Sequence, residues 1–348
     1  MVRTMSLLRA LLSTARAVRH VPQLADGLPP DHAVLLDAPD ERLAPALVSA
    51  ALGDHEPAAK LLAATRGAAE WESRDRYVKR LAAFAHSRDE WLTGWLAATP
   101  HDPDALLVNA EVAVRRAWQS PARAERLREL GPLVDAAAEA APHDPVPWRL
   151  ALDHARGTHA THTAFETLWE QAVRRAAHHY GCHVAALKYL ATQRRGSHRG
   201  SFDFDFCFDF AEQAAADALP GSLIRALPVR AAFAQLLAGG AKPVRAERID
   251  AAADLAVELS GRYAVADPWP AEVRNVLVYV LVGRERWAAA LDQFRLIGPY
   301  ATSFPWSSVS DDPLGRFLDA RHGVRLEVAS AVPLRGRAGR GRFGGHYA

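Results

Sequence analysis

The phrase Pro100-His101-Asp102-Pro103 returns as Pro142-His143-Asp144-Pro145, and a decayed copy, Ala177-His178-His179-Tyr180, follows it. The spacings are 42 and 35 residues. Each copy comes after an Ala-rich apolar stretch and before another amphipathic one. An array of helix pairs produces intervals of this order, because each pair can bury its apolar face only against its neighbours. The expected fold is therefore all-α, an α-solenoid of about seven antiparallel helix pairs wound into a right-handed superhelix.

The phrase carries its own mechanism. Asp102 at a helix start accepts hydrogen bonds from free amides, and Pro103 occupies the first helical position, where no amide is missed. Behind it Leu107, Ala110, Val114, Ala117 and Trp118 recur at helical spacing. Trp148, Leu152 and Ala155 do the same after the second copy. Two Ser/Thr-x-x-Glu signatures, Ser87 to Glu90 and Thr163 to Glu166, read as capping boxes. Gly53-Asp54 turns the chain between two short helices, and Gly131-Pro132 kinks or shortens the front of the next. Further helices are expected over Gly181 to Leu190, Ile249 to Leu259, Val273 to Leu281 and Trp287 to Phe294. A short one over Pro313 to Ala320 closes the series.

Three segments result. Residues 1–40 hold an N-terminal helix and a Pro/Gly/Asp-rich linker, 41–325 the helical array, and 326–348 an Arg/Gly-rich tail. Arg-Gly composition cannot build a packed core, so the tail is expected to be disordered.

Net charge is +2, which argues against binding polyanions over the whole surface. Lysine appears 4 times against 38 arginines, with abundant Ala and Pro, a pattern that reads as GC-rich bacterial codon usage. Two cysteines, Cys182 and Cys207, cannot build a disulfide framework. Arg3, Arg9, Arg16 and Arg19 interrupt the apolar start, leaving no uncharged run of about 7–15 residues for a signal peptide. No charge-free run of about 18 residues is present for a membrane span. A cytoplasmic protein is expected.

Gly283, Ala290 and Phe294, with Pro299 beyond, resemble the second half of a tetratricopeptide repeat. There a Gly permits the turn, a small residue lets two helices approach, and an aromatic fills the interface. Ala136 to Leu152 ends similarly, with small residues, Pro and then a helix carrying Trp148. The resemblance covers most of Arg42 to Tyr300 as a pattern, with spacings that depart from a strict repeat. The stretch Gly196-Ser197-His198 through Phe210-Ala211-Glu212 is similar to a group of bacterial proteins with tetratricopeptide-like helices. That second likeness implies no particular activity.

Several constellations bear on chemistry. Residues 201–210 read S-F-D-F-D-F-C-F-D-F, an alternation that suits a strand. A helix start capped by Ser201, with Asp203 at its positive end and Phe206 and Phe210 one turn apart, is the favoured reading. The alternation leaves helix and extended segment both open. A calcium loop fails, since its sixth and twelfth positions would be Phe208 and Ala214. Five phenylalanines cannot share one helical face, so one or two would line a groove.

His154, His159, His162, His178, His179, His183 and His198 cluster in sequence with Cys182. His179 and His183 stand one turn apart, as metal ligands do, but no companion pair occurs elsewhere. The loop Arg194-Arg195-Gly196-Ser197-His198-Arg199 is basic without matching a phosphate loop. Gly336, Gly339 and Gly341 follow no strand and form no dinucleotide fingerprint. There is no Gly-x-Ser-x-Gly elbow, and Ala59 stands where a zinc protease following His55-Glu56 would need His.

The function expected is a non-enzymatic protein–protein interaction scaffold with no cofactor. It would capture a peptide or helix on the concave face. Partner-binding candidates are Asn109, Arg116, Arg149, His183, Lys188 and Asn275 on the array, with Arg194, Arg195 and Arg199 on the loop. Two alternatives stay open. One is a metal-binding protein or enzyme using the His154–His198 cluster. The other is a regulator touching nucleic acid through the Arg/Gly tail, the less expected partner.

Overall fold

A computed structural model describes residues 26–193, 204–238 and 244–331. The N-terminal helix expected over Met1 to His20, the loop with Arg194, Arg195 and Arg199, and the tail beyond residue 331 lie outside the described residues. Those described form seventeen α-helices packed against one another, a fold compatible with a helical repeat. The one sheet among them is a parallel pair of two-residue strands.

The first three helices are α1 (Leu43–Ala51), α2 (Glu56–Gly67) and α3 (Trp71–Ala85). Each packs on its neighbour in sequence. Then come α4 (Glu90–Ala98) and α5 (Pro103–Trp118), with Asp102 capping α5 by accepting from the amides of Asp104 and Ala105. The break at Gly131-Pro132 is complete, separating α6 (Arg123–Glu129) from α7 (Gly131–Ala140). The second His-Asp-Pro phrase opens α8 (Val146–Thr158), where Asp144 Oδ1 accepts from the amide of Val146 at 2.9 Å. In the decayed copy His179 stands where Asp144 stood. Its Nδ1 accepts from the amide of Cys182 at 3.3 Å at the start of α10 (Tyr180–Gln193). The capping position thus survives the change of residue.

The two capping boxes are placed differently from expectation. Helix α4 is preceded by Asp89, whose carboxylate takes Arg116 Nη2 at 2.8 Å instead of the helix amides. Helix α9 (His162–Arg175) is capped by Thr161, two residues before Thr163.

Next come α11 (Asp205–Asp217), α12 (Leu227–Ala238), α13 (Ala246–Ser260), α14 (Ala271–Gly283), α15 (Trp287–Ile297), α16 (Ser303–Trp306) and α17 (Pro313–Ala331). The Phe-Asp segment is helical from Asp205 onward, and Ser201, Phe202 and Asp203 lie outside the described residues. Phe204 and Phe208 are the pair buried one turn apart, while Phe206 remains exposed. The last helix runs to Ala331, eleven residues beyond its expected end at Ala320.

The stretch read as a linker is built into the structure. Strand β1 (Leu35–Leu36) pairs with β2 (Tyr300–Ala301), so residues near the two ends of the described chain meet. Gly298 directs the chain into β2 with φ +59°, and a Cβ there would lie 2.9 Å from that of Ala266. Around this seam Arg321 donates to the carbonyl of Pro29 and to Asp31, and Arg80 pairs with Asp37 at 2.8 Å. Asp37 in turn accepts from the amide and hydroxyl of Ser303. Helix α3 completes the closure. Arg76 lies 4.2 Å from the centre of the Trp269 ring and donates to the carbonyls of Pro268 and Trp269.

Candidate functional site

Beside the closure lies a half-open chamber of ≈ 320 Å³, lined by charged and apolar side chains. Helix α3 turns one stripe toward it: Glu72, Asp75, Arg76, Lys79, Arg80 and Ala83, at the i, i+3, i+4, i+7 spacing of a single helical face. The opposite face of the same helix, with Val78, Leu81 and Ala82, is buried in the core. Tyr180, Trp269, Glu272 and Phe304 complete the wall.

Most of these charges are already matched. Asp75 accepts from Arg149 Nε at 2.8 Å and from Lys79 Nζ at 2.6 Å. Burial alone would raise its carboxyl, but Arg149 and Lys79 outweigh that and hold it below the usual range. Arg149 also reaches Glu111 at 2.7 Å. On the far wall Arg230 pairs with Glu272 and donates to the Tyr180 hydroxyl at 3.0 Å. Burial would raise Glu272, and Arg230 holds it low.

Glu72 differs. It accepts from the amide of Tyr180 at 2.6 Å, yet burial pushes its carboxyl up to about 7, with the charge of nearby Asp75 adding to the rise. Gly181 is required beside it, since a Cβ there would stand 2.4 Å from Asp75 Oδ2. His179 Nε2 is 4.0 Å from Glu72 Oε2, and burial lowers that imidazole to about 4, against the pull of Asp75. His179 is therefore neutral at physiological pH, while Glu72 is near its midpoint.

The expected partner-binding residues fall in different places. Arg149 is buried in the ion-pair network behind the chamber wall, and Lys188 lines a second cavity. His183 is buried, its Nδ1 donating to the carbonyl of His179 at 3.0 Å and its ring meeting those of Trp169 and Phe210. Asn109 is half-buried on α5. Arg116 is exposed and closes the turn between α3 and α4 by donating to Asp89. Asn275 does bond an extended backbone, but the chain's own. Its Nδ2 donates to the carbonyls of Ala271 and Tyr300, the latter in β2, and its Oδ1 accepts from Trp306 Nε1 at 2.9 Å.

The histidines do not converge. His154 Nε2 contacts the carbonyl of Leu127, His162 stacks on Tyr189, His159 and His178 are exposed, and His198 lies outside the described residues. Among the described residues no group of three or more His, Cys, Asp or Glu side chains is placed to hold a metal ion. Burial pushes the Cys182 thiol well up, so it stays protonated. Among the described residues no helix is long and apolar enough to cross a membrane.

The sequence reading passed over Glu72, Asp75, Lys79, Arg230 and Glu272. The available signal was the charged stripe of α3 opposite an apolar one, a pattern that an ordinary solvated helix also shows. The described residues thus form an all-helical fold with a half-open charged chamber beside its seam. Compared with known proteins, the chain matches no family model, no curated protein and no solved structure.

Proposed function

We propose that this chain is a non-enzymatic interaction module of tetratricopeptide-like helix pairs, holding a short charged segment of a partner protein in the polar chamber. One observation carries the reading. The stripe of α3 presents both signs of charge at one-turn intervals, on side chains fixed by ion pairs at 2.6–2.8 Å. A pre-ordered wall of alternating charge selects by sign pattern, which gives specificity more than raw affinity. Arg149, behind that wall, keeps Asp75 in place and so contributes without touching a partner. Capture on an inner face built from helices is the mode expected of such arrays.

Selection of a random peptide display library on the purified protein tests this, with Lys79→Glu as the counter-selection. Asp75 retains Arg149 in that variant, and thermal melting of the variant checks that the fold is kept. Enriched peptides should share a mixed-charge pattern, bind the parent at about micromolar Kd, and lose at least about tenfold with the variant. Failure to enrich any peptide, or peptides bound equally by both proteins, would overturn the reading.

A further inference from the structure

Phe304 borders the polar chamber and also a second cavity, of ≈ 310 Å³, with a different lining. Val184, Leu187, Phe204, Phe233 and Phe304 give it an apolar body. Arg156, Lys188 and Arg230 converge on it from α8, α10 and α12, and no carboxylate is among its lining residues. An apolar pocket with a few convergent polar groups is the usual form of a small-molecule site.

The three cations are not equivalent. Arg230 is matched by Glu272, and Arg156 by Asp153 at 3.3 Å, although the buried Nε of Arg156 has no hydrogen-bond partner. Lys188 has no hydrogen-bond or ion-pair partner among the described residues. Its ammonium stays exposed at the rim of the cavity, with Arg230, Arg156 and Lys79 on its side and only Asp153 opposing. A carboxylate at the rim can pair with this cation, and the apolar body beside it admits a hydrocarbon portion.

We propose that this second cavity binds a small apolar carboxylate, of the class of medium-chain fatty acids, with its carboxylate at Lys188 and its chain along Phe204 and Phe233. Charge complementarity selects this occupant. An amine of the same length meets three like charges, a short carboxylate leaves the aromatic wall uncovered, and an alcohol gains no ion pair. The site does not depend on peptide capture in the polar chamber, so either assignment can fail without the other.

Calorimetric titration of the full chain with sodium decanoate, below its micellar concentration, tests the proposal. Decanol, decylamine and acetate serve as comparisons. One site is expected, with decanoate bound at least tenfold more tightly than each comparison. Lys188→Met, which keeps the stem and removes the charge, should weaken decanoate at least tenfold without shifting the melting temperature. Ala234→Phe, which places a ring at the half-buried cavity wall, should weaken it by a separate route. Decanol binding as tightly as decanoate, an unaltered affinity in Lys188→Met, absence of binding, or multiple sites indifferent to both variants would each overturn the proposal.

Discussion

Between Leu43 and Ala160 the helices are joined at depth by ion pairs, whereas between Phe204 and Ala331 they are joined by rings. In the first region Arg74, fully buried, donates to Asp104 and to Asp144 at 2.6 Å each and to the carbonyl of Leu62. One guanidinium thus ties the residue that follows the first His-Asp-Pro phrase to the aspartate of the second. In the second region Phe304, Phe233, Tyr279, Trp306, Phe317 and Phe294 form an unbroken run of edge-on contacts with centroids 5.0–5.9 Å apart. Of the buried arginines there, Arg230 and Arg321 pair with Glu272 and Asp31, while the fully buried Arg274 donates to the hydroxyl of Ser260 and to the carbonyls of Leu296, Ser260, Tyr263 and Ala264, and to no carboxylate. The guanidinium at Arg74 joins two carboxylates at depth, and the one at Arg274 satisfies helix ends. Ion pairs at depth demand particular residues at particular positions, while rings ask mainly for volume and shape.

The contrast can be broken most forcefully at Arg74. Arg74→Met leaves Asp144 buried without its cation and Asp104 with Arg66 alone, and should cost about 3–5 kcal/mol in denaturant unfolding. Adding Asp104→Asn and Asp144→Asn should recover much of the loss, because the uncompensated charge is the larger part of it. Next, Phe317→Ala should cost about 3–4 kcal/mol by opening a cavity in the ring run. That loss should change little with salt or with pH between 5 and 8, since no ion pair is removed with the ring.

A smaller effect marks the chamber between the regions. Burial lets folded Glu72 keep its proton up to about pH 7, while the unfolded chain releases it near 4.5. Its contribution is therefore full below pH 4.5 and is lost as the pH rises toward 7. Glu72→Gln, uncharged throughout, should gain about 1–2 kcal/mol over the parent at pH 8 and little at pH 4, as read by melting at both pH values. Smallest of all, Arg174→Ala removes an exposed pair with Glu170 and should shift stability by less than about 0.5 kcal/mol.

Helix content was legible because apolar spacing and caps are local. Asp102 caps where its phrase says it should, and Trp91 and Trp95 are buried as their spacing implies. The capping boxes at Ser87 and Thr163 were misplaced because a four-residue pattern leaves out competitors, such as Arg116 for Asp89 and Thr161 for the start of α9. The strand pairing was illegible for another reason. Leu35 and Tyr300 are far apart in sequence, and a two-residue strand has no periodicity to read. Of the site, Arg149 and Lys188 were singled out, but the chamber was not. Glu72, Asp75 and Lys79 differ from solvated charges only in what the closing seam brings opposite them.

That seam also sets an order of events. As the chain is synthesised, helices as far as α8 can stack on neighbours that already exist, but β1 has no partner until Ala301 has been made. Until then the stripe of α3 has Arg149 behind it but lacks the wall from Tyr300 to Phe304. The last contacts to become available complete that wall, so a chain stopped short of Tyr300 would carry every residue of α3 without the strand pairing and the Phe304 side of its surroundings.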